Sequence, residues 1–175
     1  MCSSEGVCKE CQPPFSRAWY VGERADELLL LTNDYKFQRK RAASRVLADL
    51  LFQRIGILPE ACSVVPIPSN PAHIRQRGYD HTYLIARQLA KLNNRKPERL
   101  LERRTHSVQT GKTKRKRSEQ AALAFAARGS CENKTILIVD DIVTTGATIK
   151  AAARLLREAG ATDVWVAAIA RQPLD

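Results

Sequence analysis

The sequence predicts an α/β domain: a parallel sheet flanked by helices. Three observations carry that prediction. The apolar runs are short and unbroken, as in ILIV at 136–139 and VWVAAIA at 164–170; strands buried on both faces read this way in parallel sheets. Helical periodicities separate these runs. A chain of 175 residues is most simply one domain, which buries roughly 70% of the surface its unfolded form exposes and needs no staples.

Each element follows in order. Trp19, Tyr20 and Val21 read as a short strand. A helix is predicted over 24–37, with Leu28 and Leu31 inward. A second, over 39–55, repeats Val46, Leu47, Leu50, Leu51 and Ile55 at helical spacing, and Gly56 stops it. A strand over 63–67 ends at Pro66 and Pro68, since proline donates nothing to a ladder. The next loop holds Arg75, Arg77 and Gly78 beside that strand's carboxyl end. Asp80 caps a helix over 81–92 whose core face is Leu84, Ile85, Leu89 and Leu92. Leu100 and Leu101 suggest a short strand. Residues 103–120 lack apolar periodicity and read as a basic excursion. Residues 121–127 return to the globule, and 164–170 form the last core strand.

The stretch ILIVDDIVTTGAT, 136–148, carries the chemistry. It reads as strand, acidic pair, hydroxyl-rich turn and helix, with Ile149, Ala152, Ala153 and Leu156 on one helical face and Gly160 as the stop. A turn that opens a helix presents backbone N–H groups and the positive end of the macrodipole, which suit a phosphate. Gly146 lets backbone approach a ligand, while Thr144, Thr145 and Thr148 add neutral donors. Asp140 and Asp141 stand at the strand's carboxyl end, where open α/β sheets bind ligands. Ionised carboxylates accept hydrogen bonds, so they suit vicinal sugar hydroxyls or a hydrated Mg²⁺. Together these features describe a site for a ribose 5-phosphate. Taken singly, the acid pair or the polar turn fits an ordinary βα unit equally well. Arg75 and Arg77 suit a diphosphate held in bidentate fashion, or a plain basic turn.

Net charge is +11 and the pI is near 9.8. Such a field attracts diphosphates, nucleic acid or acidic surfaces, and it also serves solubility. No apolar run nears the roughly 20 residues of a membrane span. The N-terminus lacks the basic region of a signal peptide. Five cysteines, an odd and unevenly spaced set, point to a reducing, cytoplasmic setting. Cys8 and Cys11 form half of a zinc knuckle; Cys2 offers a third ligand and no fourth lies nearby. Zinc is therefore not expected, and residues 1–14 read as a remnant knuckle ahead of a domain over 15–175. There is no G-x-x-x-x-G-K-[ST], G-x-G-x-x-G or G-x-S-x-G motif.

The string ILIVDDIVTTGAT resembles the phosphoribosyl diphosphate (PRPP) signature of the type I phosphoribosyltransferases. VPIPSNPAHIRQRGYDHT is similar to the first loop of their ComF (GntX-like) branch, and HSVQTGKTKRKRSEQAALAF to its mobile loop. CKECQPPFSRAWYVGE resembles the end of the cysteine knuckle that opens that family. Asp80 and His81 stand where Asn and Gln are usual, and Gln120 where Asn is usual. Those departures bear on the acceptor site.

The resemblance implies a small hood built from the N-terminal segment, over about 15–56, with PRPP as donor, Mg²⁺ beside it, and displacement of its diphosphate by a nitrogenous base. It assigns the ribose hydroxyls to Asp140 and Asp141, as the catalytic pair. The 5-phosphate falls to the turn Val143, Thr144, Thr145, Gly146, Ala147 and Thr148. The diphosphate and its Mg²⁺ fall to Arg75, Arg77 and Gly78. No protein ligand set for Mg²⁺ stands out, and no residue is a convincing general base. Lys112, Lys114, Arg115, Lys116 and Arg117 would fold over the donor as a lid. The same five residues are the candidates for nucleic acid, because the ComF branch is linked to DNA uptake in competent bacteria. Two functions follow: an active transferase acting on a base or nucleoside-type acceptor, or a PRPP-site protein that mainly binds single-stranded DNA. A PRPP-sensing regulator is a third, without a helix-turn-helix signature to support it. No membrane partner is expected, and a homodimer is left open.

Overall fold

Four parallel strands form the central sheet of the computed structural model, which describes residues 13–37, 41–104 and 125–172. In chain order, β1 is Arg17–Glu23, α1 Asp26–Phe37 and α2 Ala43–Ile55. Next come β2 at Cys62–Pro66, α3 at Pro71–Arg77 and α4 at His81–Leu92. Two short strands follow, β3 at Leu101–Arg103 and β4 at Phe125–Ala127. The last unit is β5 at Thr135–Val143, α5 at Ala147–Glu158 and β6 at Asp163–Arg171. The sheet runs β1, β6, β5, β2, every pairing parallel. Beside it, β3 and β4 make an antiparallel pair.

Alternation along the strands splits the core into two layers. Val65, Ile136, Ile138, Val164, Val166 and Ala168 face Ile149, Ala152, Ala153 and Leu156 of α5, together with Leu101 and Phe125 of the small hairpin. On the other face, Val64, Leu137, Val139, Ala167 and Ile169 meet Leu47, Ala48 and Leu51 of α2 and Ile85, Ala86, Leu89 and Ala90 of α4. The unbroken apolar runs are thus strands covered on both sides. Burying one such Ile or Leu contributes roughly 1.5–3 kcal/mol.

Three details differ from the sequence reading. Val46 and Leu92, expected inside, are 52% and 41% exposed. Helices α2 and α4 pack on each other as well as on the sheet, and their buried residues include Ser44, Ala48, Ala86 and Ala90. Small side chains let helix axes approach closely, which turns both stripes away from Val46 and Leu92. The stretch expected as a loop around Arg75 is helical, α3. Asn70 caps it by accepting from the Ala72 N–H at 2.9 Å, and Pro71 occupies its first turn. Finally, β5 continues beyond the apolar run, through the acid pair to Val143.

Among the described residues no helix is long and apolar enough to cross a membrane. Cys62 and Cys131 are free, buried thiols, and burial pushes the Cys62 thiol up to about 11. Cys8, Cys11 and the five basic residues from Lys112 to Arg117 lie outside the described residues.

Candidate active site

The carboxyl ends of β2 and β5 are adjacent, and the Ile67 N–H donates to the Val139 carbonyl at 2.9 Å. The chain leaves β2 through Ser69 and Asn70 into α3, and leaves β5 through Thr144 and Thr145 into α5. The sequence-predicted groups therefore meet at one end of the sheet. Asp140 and Asp141 are in the last turn of strand before that end, 9% and 7% exposed. The Asp140 Oδ1 accepts from the Asp141 N–H at 2.8 Å, and the Asp141 Oδ1 accepts from the Ile142 N–H at 2.7 Å. These local bonds fix both carboxylates to the strand that carries them.

The turn after β5 is built for an anion. Gly146 takes φ 71°, the left-handed region that a side chain resists, and it is the N-cap of α5. No side chain caps this helix, and its first turn holds no acid, so no residue of that turn offsets the positive end of the macrodipole. Thr144 and Thr145 are exposed, Thr148 is half-buried and Val143 is buried. The Ala147 N–H has only a long contact, 3.4 Å, with the Thr145 hydroxyl.

The arginine-bearing segment is held from below. Gly78 is the left-handed C-cap of α3 at φ 80°, and its carbonyl accepts from the Arg41 guanidinium at 2.8 Å. Arg41 also lies over the Tyr79 ring at 5.1 Å. Arg75 is exposed, whereas Arg77 turns inward and brings Nη1 within 3.1 Å of the His81 Nδ1. The other ring nitrogen of His81, Nε2, stands 2.9 Å from the Asp141 Oδ2. Asp80, the predicted cap of α4, accepts from the Tyr83 N–H at 3.2 Å and from the Ser69 hydroxyl at 2.7 Å.

Above this cluster sit two tyrosines. The Tyr35 hydroxyl donates to the His81 carbonyl at 2.6 Å, and the Tyr79 hydroxyl donates to the Tyr35 carbonyl. Burial, and then Tyr79, Asp141 and Asp80 nearby, hold the Tyr35 phenol far above its ordinary value. Burial also raises Tyr79, against the pull of Arg77 and Arg41. Both therefore remain hydroxyl donors. Sequence reasoning assigned no role to Tyr35, and it tied His81 to the acceptor site rather than to the acid pair. The departure noted at position 81 was the signal available, and its meaning needed the contact with Asp141.

Residues 76–174 match the family described as the phosphoribosyl transferase domain. Competence protein F of Haemophilus influenzae is 28% identical over 186 residues, covering 95% of this chain and 77% of that protein. Competence protein ComFC of Streptococcus pneumoniae is 32% identical, covering 94% of this chain and 74% of its own length. This chain belongs to the ComF family of phosphoribosyltransferase-fold proteins. DNA utilization protein YhgH of Salmonella typhimurium is 31% identical across 95% of the ComF-family chain and 77% of that relative. Among solved structures, the allosteric regulatory enzyme of purine biosynthesis superposes with a TM-score of 0.55 at 18% identity, over 78% of this chain. The ComF-family chain spans only 30% of that enzyme, and the likeness is one of fold. It agrees with the parallel sheet, flanked by helices, that the sequence predicts.

Proposed function

We propose that the chain binds PRPP and transfers its phosphoribosyl group to a nitrogenous base or nucleoside-type acceptor. The carrying observation is the junction of β5 and α5, where an acid pair adjoins an uncapped helix N-terminus without acids in its first turn. In this reading the turn from Val143 to Thr148 takes the 5-phosphate, and Asp140 and Asp141 accept from the ribose hydroxyls. Arg75 and Arg77, with the backbone at Gly78, receive the diphosphate.

The bond from the anomeric carbon to the diphosphate oxygen breaks, and the electron pair leaves with diphosphate. The acceptor nitrogen forms the new bond and gives up its proton to solvent or to the departing diphosphate. The chain's residues hold the ribose, offset the charge of the leaving group and keep water away. Each Asp carboxylate already has a backbone N–H partner, so the pair suits hydroxyls or the water shell of an ion better than a bare cation. Mg²⁺ bound with the donor would neutralise diphosphate charge. Isothermal titration of PRPP with and without Mg²⁺, followed by a screen of bases for PRPP-dependent diphosphate release, tests the reading. Micromolar, Mg²⁺-dependent binding is expected; heat-silent titrations at millimolar PRPP refute it.

A second reading, nucleic-acid binding, has its own support. Two adjoining depressions of about 320 and 470 Å³ run along the outer face of α2 and α4, lined by Arg41, Arg45, Arg87 and Lys91, with Asp49 among them. Relatives named for competence and DNA utilization point the same way. Binding of a labelled single strand should be weak and sequence-independent. Its logarithmic salt slope should fall by roughly 0.7 for each phosphate that the protein no longer neutralises. Replacing Lys112, Lys114, Arg115, Lys116 and Arg117 by Ser should flatten that slope in fluorescence anisotropy. Tight, salt-resistant binding would refute the electrostatic account.

A further inference from the structure

The central sheet has two edges, and among the described residues only one is covered. Along β2, the chain that follows α4 lies on the edge: the Glu98 N–H donates to the Val64 carbonyl at 2.9 Å, and the Arg95 guanidinium donates to the Cys62 carbonyl. The other edge is β1, and among the described residues no strand pairs with its outer side. At the two ends of β1 the Ser16 and Arg24 N–H groups donate to β6, at 2.9 and 2.8 Å. Backbone groups of successive residues point to opposite sides of a strand. Those of Ala18, Tyr20 and Gly22 therefore face β6, and those of Arg17, Trp19, Val21 and Glu23 face outward. The Val21 carbonyl agrees, since it accepts from the Arg54 guanidinium of α2 at 3.2 Å. A depression of about 490 Å³ opens beside this edge, lined by residues 16–20 with Gln53 and Arg54.

An open edge is a template for a further strand, and the residues of β1 specify which strand fits. We propose that β1 pairs antiparallel with β1 of a second copy of the chain, about a two-fold axis at Tyr20. In that register Arg17 stands opposite Glu23, Ala18 opposite Gly22, Trp19 opposite Val21 and Tyr20 opposite its own counterpart. The outward-facing residues 17, 19, 21 and 23 then meet as hydrogen-bonded pairs, each exchanging two N–H···O bonds. Every cross-strand pair is a compatible one: opposite charges, two small residues, an aromatic with a β-branched side chain, and two aromatics. Moving the register by two residues keeps the outward groups paired, but it sets Arg17 against Val21 or Glu23 against Trp19 and loses the charge pairs. Two-fold symmetry repeats each contact, so the Arg17–Glu23 pair forms at both ends. Both residues are exposed. Arg17 lies over the Trp165 ring at 4.7 Å, and Glu23, paired with Arg171 at 3.0 Å, keeps 57% of its side chain exposed. On the Val21 carbonyl, the N–H of the partner's Trp19 takes the place of Arg54. The alternative is an edge kept single by its charges. Charges of one sign would do that, whereas β1 carries opposite signs at its two ends, which favours an antiparallel copy. Because all four strands of one copy run the same way, the two candidate active sites face opposite sides of the dimer. The pairing does not depend on what those sites bind.

Sedimentation equilibrium of the full chain across the micromolar range tests the proposal. The parent should reach twice the 19.6 kDa of one chain, and a monomer throughout overturns the pairing. Arg17→Glu and Glu23→Arg each set like charges opposite one another and should weaken the dimer at least tenfold. Both positions are exposed, and parent-like melting curves show that the variants fold. Arg17→Glu combined with Glu23→Arg restores opposite charges and should return the dissociation constant to within threefold of the parent. Single variants that associate like the parent, or a double variant as weak as the singles, would overturn the proposal. Amide exchange of the parent, followed by NMR, reads the edge itself and needs no variant. Exchange at the Trp19 and Val21 amides should slow as concentration rises, at least tenfold more than at Ala18 and Tyr20, which face β6. Exchange at Trp19 and Val21 that ignores concentration places any contact elsewhere and overturns the pairing.

Discussion

At the amino end of β6, Asp163 accepts from the Ser16 hydroxyl at 2.6 Å, the Trp165 indole at 2.7 Å and the Val164 N–H at 2.8 Å, and it pairs with Arg157. Nearby, Glu98 accepts from Ser63 and pairs with Lys134 at 2.7 Å. Burial raises both carboxyls, yet the donors outweigh it and each ends below its ordinary value. At the carboxyl end, two acids adjoin in sequence and the His81 Nε2 stands 2.9 Å from the Asp141 Oδ2. The first pair of acids is saturated by donors and cations, which ties strands and loops together. The second stands at the mouth of the sheet, each carboxylate with a backbone N–H as one of its partners. The acids at the amino end are the more exposed, with side chains at 28% and 38%, and they bind the fold together, whereas the buried pair at 9% and 7% stands at the end proposed above to bind the donor.

The largest expected effect breaks the recognition end alone. Asp140→Asn combined with Asp141→Asn keeps shape but replaces acceptors by groups that partly donate, so Mg²⁺-dependent PRPP affinity should fall at least a hundredfold. The melting temperature should stay within roughly 4 °C of the parent, equivalent to about 1 kcal/mol in a chain of this size. Unchanged affinity would remove the functional distinction between the two ends.

A middle-sized effect belongs to Asp163→Asn. It should cost about 2 kcal/mol by weakening several charge-assisted bonds, or roughly 4–8 °C in melting temperature, with PRPP affinity unchanged. The folded carboxyl titrates below its unfolded value, so its contribution is complete above that value, about 3.9. It is lost as pH falls through the lower folded value. Parent and variant melting curves should therefore converge below about pH 4. A gap that widens on acidification would show the sign to be wrong.

Glu98→Gln gives the smallest change. The Glu98 and Lys134 side chains are 38% and 36% exposed, so solvent screens the pair and about 0.5 kcal/mol is at stake. A melting shift beyond roughly 4 °C, about 1–2 kcal/mol, would mean that this pair is coupled to the core.

Much of this architecture was legible because it is local. The run 136–139, the acids, the small-residue turn and the helical stripe from Ile149 to Leu156 follow one another without a gap, and Asp80 sits one residue ahead of the helix it caps. The Asn70–Pro71 start of α3 carried the ordinary signals of a helix N-terminus. The arginines and glycine that follow masked them as a loop. Val46 and Leu92 were misread because periodicity marks a stripe, whereas the packing partner decides which edge of it is covered. The contact of His81 with Asp141 joins two separate βα units, and no local pattern encodes it.

One feature of the sheet bears on how the molecule is made. Among the described residues the first strand has its only sheet partner in β6, beginning with Arg17 opposite Trp165, 148 positions later (165 − 17). At ribosomal speeds of about 5–20 residues per second, that partner emerges roughly 7–30 seconds after β1. Until then Trp19 and Tyr20 lack the surface that half-covers them in the finished fold. Closing the sheet is thus a late, long-range event with a large loop entropy to overcome. A nascent chain stalled before β6 would present β1 as an unpaired, aromatic edge, open to chaperones or to a neighbouring copy's last strand.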